Sequence, residues 1–242
     1  HNGSRGLGDV YKRQDLNYLL FNNRIYGLTK GQYSPTSEVG KVTKSTPMGS
    51  ADHPLNPVQF ALGSEATFVA RSLDVDAKHL LDVLEEASNH KGASFVEIYQ
   101  NCNIFNDGAF KHMSERDIRA DMQLQLEHGK PLIYGKDRDK GIAINNFKPE
   151  IVNFEAGNEQ AAIDAGVIVY DRENEHLAGI ISKLNYPEFP IPMGVFYQTR
   201  RETICELVPS QVEEAKAKKP LGDNVDAELQ KLYASGDTWL VN

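Results

Sequence analysis

Two asparagines, Asn22 and Asn23, close an apolar run and open a loop rich in glycine, threonine and amides, Gly27-Leu28-Thr29-Lys30-Gly31-Gln32. In an open α/β sheet, ligands sit outside the carboxyl ends of parallel strands, so a cofactor is expected at this junction. An asparagine side chain offers a neutral oxygen to a hard cation, and magnesium combines few protein ligands with phosphate oxygens. Gly27 lets backbone approach a ligand closely, and Thr29 supplies a short hydroxyl. Lys30 reads either as a partner for a substrate carboxylate or as a solvated loop cation. Taken alone, an asparagine pair reads as a polar turn satisfying loop backbone groups. Further along, Cys102 follows an apolar run, where a lone cysteine ordinarily behaves as a small hydrophobe. Cys205 has apolar neighbours and reads as structural.

The elements that must position these residues follow from periodicity. Leu16 to Phe21 is too short and too apolar for an amphipathic helix and reads as a buried strand. The loop from Asn22 to Pro57 exceeds the usual connection length, which favours function over mere connection. Asn56 and Pro57 read as N-cap and first residue of a short helix over Val58 to Ser64. A strand is expected over Thr67 to Ser72 and a helix over Asp76 to Asn89, whose Leu80, Leu81, Val83, Leu84 and Ala87 fall at helical spacing. Gly92 ends that helix, and Ser94 to Tyr99 reads as the next strand. Strands alternating with helices at this interval imply parallel βαβ units. Beyond Asn106-Asp107-Gly108 the expectation is a polar helix over Glu115 to His128, striped by Ile118, Met122 and Leu126. A charged hairpin turn follows between Pro131–Tyr134 and Gly141–Ile144. Short strands are expected over Val167 to Tyr170 and Gly194 to Tyr197. Helices are expected over Glu175 to Leu184, Pro209 to Lys218 and Asp226 to Ser235, and Trp239 reads as a packing anchor.

The asparagine pair resembles the second half of the thiamine-diphosphate motif, although no Gly-Asp-Gly precedes it in this sequence. The wording from Tyr26 through Ser37, and Lys44-Ser45-Thr46-Pro47-Met48-Gly49-Ser50, resembles the beta subunit of a 2-oxoacid:ferredoxin oxidoreductase. Tyr99-Gln100-Asn101-Cys102-Asn103-Ile104-Phe105 resembles the segment carrying that family's fourth [4Fe-4S] ligand. The resemblance implies α/β architecture: the remaining half of a thiamine-diphosphate-binding doubly wound parallel sheet, with a C-terminal α+β extension. It implies that Mg2+ is held by Asn23 and the carbonyl of Ile25, and that thiamine diphosphate is wrapped by Asn23, Ile25, Tyr26, Gly27, Leu28 and Thr29. Leu28, Thr29 and Lys30 would face the reacting carbon, with Leu-Thr-Lys-Gly looking like the 2-oxoglutarate or broad-range type, and Cys102 would bind the cluster. The implied reaction is oxidative decarboxylation of a 2-oxoacid to its acyl-coenzyme A, with electrons passing to ferredoxin. An alpha subunit is the implied partner. An iron-free thiamine-diphosphate decarboxylase or synthase, and a non-catalytic α/β interaction protein, are the alternatives.

Domain organisation is expected as a non-native tail over 1–14, a thiamine-diphosphate-binding domain over 15–112, and the C-terminal region of such a beta subunit over 113–242. The tail expectation rests on Asp9-Val10-Tyr11-Lys12-Arg13-Gln14, which reads like a translated sequencing adaptor, so the chain is expected to be N-terminally truncated. Formal net charge is −8, so neither nucleic acid nor another polyanion is an expected partner of the chain as a whole. No apolar run approaches the roughly 20 residues needed to span a bilayer. The two cysteines make no disulfide framework, and the expected compartment is the cytoplasm.

Overall fold

The structure, a computed structural model, describes residues 14–218, 225–237 and 239. Most of the expected tail, and Thr238, Leu240 and Val241, lie outside the described residues. Strand β1 (Leu16–Asn22) leads through the long loop to helix α1 (Pro57–Gly63), followed by β2 (Phe68–Leu73), α2 (Ala77–Asn89) and β3 (Ala93–Tyr99). Both helices begin as their sequences dictate. The Asn56 side chain accepts from the Gln59 amide with Pro57 at the first turn, and Asp76 caps α2 by accepting from His79. Such caps satisfy donors that have no partner inside the helix and contribute about 1 kcal/mol each.

One five-stranded sheet organises the core, in the order β1-β3-β2-β8-β4, where β4 is Gln123–Leu126 and β8 is Ile191–Gln198. Strands β1, β3 and β2 are mutually parallel. Strand β8 runs antiparallel to β2 and parallel to β4. Residues from both sides of the expected 112/113 boundary therefore share this sheet. Alternate side chains of β2 and β3 feed opposite layers, the reason both strands are apolar along almost their whole length. Val69, Ala93 and Phe95 pack with Val58 and Ala61 of α1, whereas Phe68, Ala70, Val96 and Ile98 pack with Val83 and Ala87 of α2. At the carboxyl end, Leu73 and Tyr99 join Phe110, Met113, Ile191 and Met193.

Four expectations are corrected. Leu16 to Phe21 forms a strand but not a buried one, since β1 lies at the sheet edge with only β3 beside it and Leu16, Leu19 and Phe21 exposed. The polar helix over Glu115 to His128 is replaced by α3 (Lys111–Ser114), α4 (Arg119–Met122) and strand β4. The Ile118, Met122, Leu126 stripe mimics a helix, but Leu124 and Leu126 are buried with Gln125 exposed between them, a two-residue alternation that pairing with β8 selects. Val167 to Tyr170 forms isolated bridges to Pro131 and Ala143 instead of a strand. Trp239 is 83% exposed and, among the described residues, is not a packing anchor, because the described helices of its unit bury no residue.

The expected hairpin is present as β5 (Ile133–Tyr134) and β6 (Lys140–Asn145), extended by β7 (Lys148–Asn153) into a three-stranded antiparallel sheet. Helices α5 (Glu159–Asp164) and α6 (Glu175–Ile181) complete the unit that ends at Arg201. A second unit from Glu202 onward holds α7 (Ile204–Lys218) and α8 (Val225–Tyr233). Glu206 accepts from both the amide and the hydroxyl of Thr203 at the start of α7, and Pro209 lies inside the helix.

Candidate active site

The carboxyl ends of β1 and β3 meet at Asn22, which pairs with Tyr99 in register. Asn22 ends β1 and Asn23 opens the loop, and the two side chains have different partners. Asn22 is buried, and its amide donates to Oε1 of Glu97 at 2.7 Å. Its own oxygen accepts from the Thr36 hydroxyl at 2.7 Å and from the Arg24 amide at 3.1 Å. The Asn23 oxygen accepts from the Ile25 amide at 3.2 Å and keeps a second lone pair for another partner. Ile25 itself is buried, so its carbonyl is fixed where the chain turns out of the sheet. Arg24, between them, takes a positive φ of 54°, the local twist that swings the strand into the loop.

Glu97 and Arg71 explain why this turn is fixed. They face each other in the parallel register of β2 and β3. Arg71 Nε donates to Glu97 Oε2 at 2.7 Å, with the side chains 3% and 0% exposed. The guanidinium also donates to the Pro192 carbonyl at 3.3 Å and lies over the Tyr99 and Phe196 rings. One carboxylate oxygen thus holds Arg71 and the other holds Asn22, leaving neither charge bare in the core. Burial raises the Tyr99 phenol above its ordinary value despite Arg71 nearby. Sequence reasoning missed this network. Its signal was present: one charge of each sign inside two otherwise uncharged strands.

The loop from Tyr26 to Gln32 closes on itself. The Tyr26 amide donates to Gln32 at 2.8 Å, the Gly31 amide to Tyr26 at 3.0 Å and the Lys30 amide to Gly27 at 3.0 Å. Lys30 holds a positive φ of 62°. Tyr26, Gly27, Leu28, Thr29 and Lys30 are all exposed at its tip, Leu28 at 98%. A side chain at Gly31, where φ is +101°, would come within 3.3 Å of the Phe105 ring, so glycine permits the loop to rest on the Cys102 segment.

That segment is tied to the asparagine turn. Asn106 donates to the Asn23 carbonyl at 3.0 Å, and its oxygen accepts from Lys41 Nζ. The Asn106 amide donates to the Cys102 carbonyl at 2.9 Å. The expected metal-facing turn, the expected cofactor loop and Cys102 are therefore assembled at one end of one sheet. Glu38 lines the adjoining cavity: burial pushes its carboxyl up, but its backbone amide and Lys41 bring it below the ordinary carboxylate range.

The donor set fits the two implied inorganic groups differently. Two neutral oxygens, Asn23 Oδ1 and the Ile25 carbonyl, suit a magnesium ion whose other ligands include phosphate. A [4Fe-4S] cluster needs about four thiolates. Among the described residues no group of three metal-binding side chains occurs, and Cys205 belongs to the other unit. The described residues therefore do not hold such a cluster by themselves.

Residues 7–98 match the family described as thiamine pyrophosphate enzyme, C-terminal TPP binding domain. The chain is 44% identical over 243 residues to 2-oxoglutarate oxidoreductase subunit KorB of Mycobacterium tuberculosis, an alignment covering 99% of this chain and 63% of that one. It is 33% identical over 207 residues to the beta subunit of a Sulfolobus 2-oxoacid:ferredoxin oxidoreductase, covering 85% and 54%. The fold matches that of a 2-oxoglutarate:ferredoxin oxidoreductase from Magnetococcus marinus, solved with 2-oxoglutarate, coenzyme A and succinyl-CoA bound, at a TM-score of 0.65, 22% identity and coverage of 98% and 63%. The chain is homologous to the beta subunits of 2-oxoacid:ferredoxin oxidoreductases over nearly its whole length. It spans a little under two thirds of the length of the first of these relatives.

Proposed function

We propose that this chain acts as the beta subunit of a 2-oxoacid:ferredoxin oxidoreductase, with 2-oxoglutarate the favoured substrate. An alpha subunit, ferredoxin and coenzyme A complete the reaction, in the cytoplasm. The observation that carries the reading is the asparagine turn: Asn23 and the Ile25 carbonyl held at the carboxyl end of β1 in a chain so similar to such proteins. The 15–112 segment is read as the cofactor-binding region and 113–242 as the C-terminal region of the beta subunit.

In this reading Asn23 Oδ1 and the Ile25 carbonyl hold magnesium. The Tyr26–Thr29 backbone frames the cofactor, with Gly27 permitting close approach. Thiamine diphosphate, when bound, supplies the electron sink that lets carbon dioxide leave a 2-oxoacid. Leu28 and Thr29 shape the space beside the reacting carbon. Lys30, at the exposed tip, places its ammonium against the second carboxylate of 2-oxoglutarate, a group that pyruvate lacks. The buried Glu97 pair keeps the turn from relaxing when charged groups approach it. Cys102 offers one thiolate toward an electron acceptor and requires further thiolates from outside the described residues.

The test is 2-oxoacid- and coenzyme A-dependent reduction of ferredoxin by this chain assembled with its alpha subunit. Lys30→Ala removes one charge-assisted hydrogen bond and should raise KM for 2-oxoglutarate about ten- to a hundredfold while leaving pyruvate nearly unaffected. Decarboxylation without ferredoxin reduction would favour the iron-free alternative. Equal effects on both substrates would remove Lys30 from substrate selection.

A further inference from the structure

At the opposite edge of the sheet from β1, a cavity of about 550 Å³ opens beside β4 and the β5 hairpin. Its lining holds five cationic side chains and two carboxylates, in a chain whose formal net charge is −8. Two cations are already partly paired: Arg119 with Asp76 outside the cavity at 2.9 Å, and Arg138 with Glu159 of the lining at 3.5 Å. Arg138 and Glu159 are 57% and 50% exposed, so water screens that pair heavily. Arg116, Lys130 and Lys136 have no carboxylate within ion-pair range among the described residues. All three are exposed, on three different segments that converge on the one concavity.

Five cations against two carboxylates leave the lining in positive excess, and the repulsion among its cations is relieved when an anion enters. The volume lies within the range of sites that hold small molecules. Pro131, Ile133 and Tyr134 add an apolar flank, and Tyr134 and Ile133 are themselves buried, so that flank is stiff. Cations around the rim with a rigid ring-bearing wall suit a ligand with charged phosphates at one end and a flat ring at the other. Glu127, the remaining carboxylate, sets an electrostatic preference for a ligand whose charge is concentrated at the cationic side.

We propose that this concavity is a binding site for a phosphate-bearing small molecule of nucleoside-diphosphate size. Arg116, Lys130 and Lys136 take the phosphates, and the Pro131–Tyr134 flank takes the ring. The site is separate from the asparagine turn, to which it contributes no residue.

Calorimetry on the chain assembled with its alpha subunit tests this, with thiamine diphosphate and magnesium saturating so that the diphosphate site at Asn23 is filled. The probes are adenosine diphosphate, inorganic pyrophosphate and adenosine, titrated into the unaltered protein, Lys130→Gln and the Lys130→Glu/Lys136→Glu pair. Adenosine diphosphate should bind, weaken about tenfold in Lys130→Gln and be lost in the double reversal, while adenosine alone does not bind. Pyrophosphate binding weaker than that of the diphosphate assigns the remaining affinity to the ring wall. Adenosine diphosphate binding unchanged in both variants, or absent from the unaltered protein, would overturn the site. So would equal affinity for pyrophosphate and the diphosphate, which reduces the cavity to a simple anion trap. Association with an acidic protein that the reversal abolishes, without any nucleotide binding, would instead make this surface a protein interface. Lys130→Gln is mild enough to keep the fold, and an unchanged melting temperature establishes that.

Discussion

Removing the Glu97 carboxylate tests the network beneath the candidate site. In Glu97→Ala the Arg71 guanidinium, 3% exposed, keeps only the Pro192 carbonyl and two aromatic faces, and the Asn22 amide loses its acceptor. Breaking a buried ion pair by deleting one partner costs about 3–5 kcal/mol, because the remaining charge is left uncompensated. In a protein of this size each kcal/mol lowers the melting temperature by about 2–4 °C, so a loss of about 6–20 °C is expected. Glu97→Gln retains one acceptor but turns an NH2 toward either Arg71 or Asn22, both of which are donors, and should cost less than alanine but more than about 1 kcal/mol. The double change Arg71→Met with Glu97→Gln removes the stranded cation and should recover much of the loss. Thermal and urea denaturation of Glu97→Gln, Arg71→Met and the double variant closes a cycle whose coupling energy is the quantity of interest. A melting temperature within about 2 °C of the starting protein for Glu97→Ala, or a coupling energy near zero, would show that the Arg71–Glu97 pair does not hold this end of the sheet.

Three further outcomes follow from the packing. The Tyr170 hydroxyl lies 2.8 Å from the Val195 carbonyl and 2.6 Å from that of Phe196, so Tyr170→Phe should lower stability by about 1–3 kcal/mol in urea titration. His79 and His90 are held below the ordinary imidazole value of 6.5, chiefly by burial. Their folded forms resist protonation, so stability should be full above that value and decline as pH falls through it toward the lowered folded values; a flat melting temperature across this window would count against it. Strand β1 lies at the sheet edge with Leu19 41% and Phe21 57% exposed, an edge that invites association. The chain alone should self-associate in sedimentation, and Phe21→Lys should shift it toward monomer.

Much of the architecture was legible because local signals agreed with the tertiary fold. Asn56-Pro57 and Asp76 announced their helices, and the apolar runs of β2 and β3 announced strands of parallel βαβ units. Strand β4 was not legible, because Ile118, Met122 and Leu126 satisfy helical spacing, while only the partner β8, far away in sequence, selects the alternation of Leu124 and Leu126. Lys148–Asn153 was missed as a strand because it is mostly solvent-facing and stands only by pairing with β6. At the candidate site the wording of the loop pointed to Asn23 and Lys30, and that of the Tyr99–Phe105 segment to Cys102. It could not reveal that Asn22 is the structural member of the pair, since that assignment depends on Glu97 reaching across the sheet. Nor did sequence show that the Cys102 segment is laced to the turn through Asn106 and rests on Gly31.

In the proposed function the asparagine turn holds the metal of a thiamine-diphosphate site. Calorimetric titration of thiamine diphosphate with magnesium into the assembled protein, compared with Asn23→Ala, addresses it most directly. Changes to residues behind a metal's ligands already cost about 10–100-fold in affinity, so loss of a ligand oxygen should weaken binding by about a hundredfold or more. Because Asn22, not Asn23, carries the bonds to Glu97 and Thr36, the Asn23→Ala protein should keep its melting temperature without cofactor. Cofactor affinity unchanged in Asn23→Ala, in a protein that binds thiamine diphosphate before substitution, would show that Asn23 is not a metal ligand.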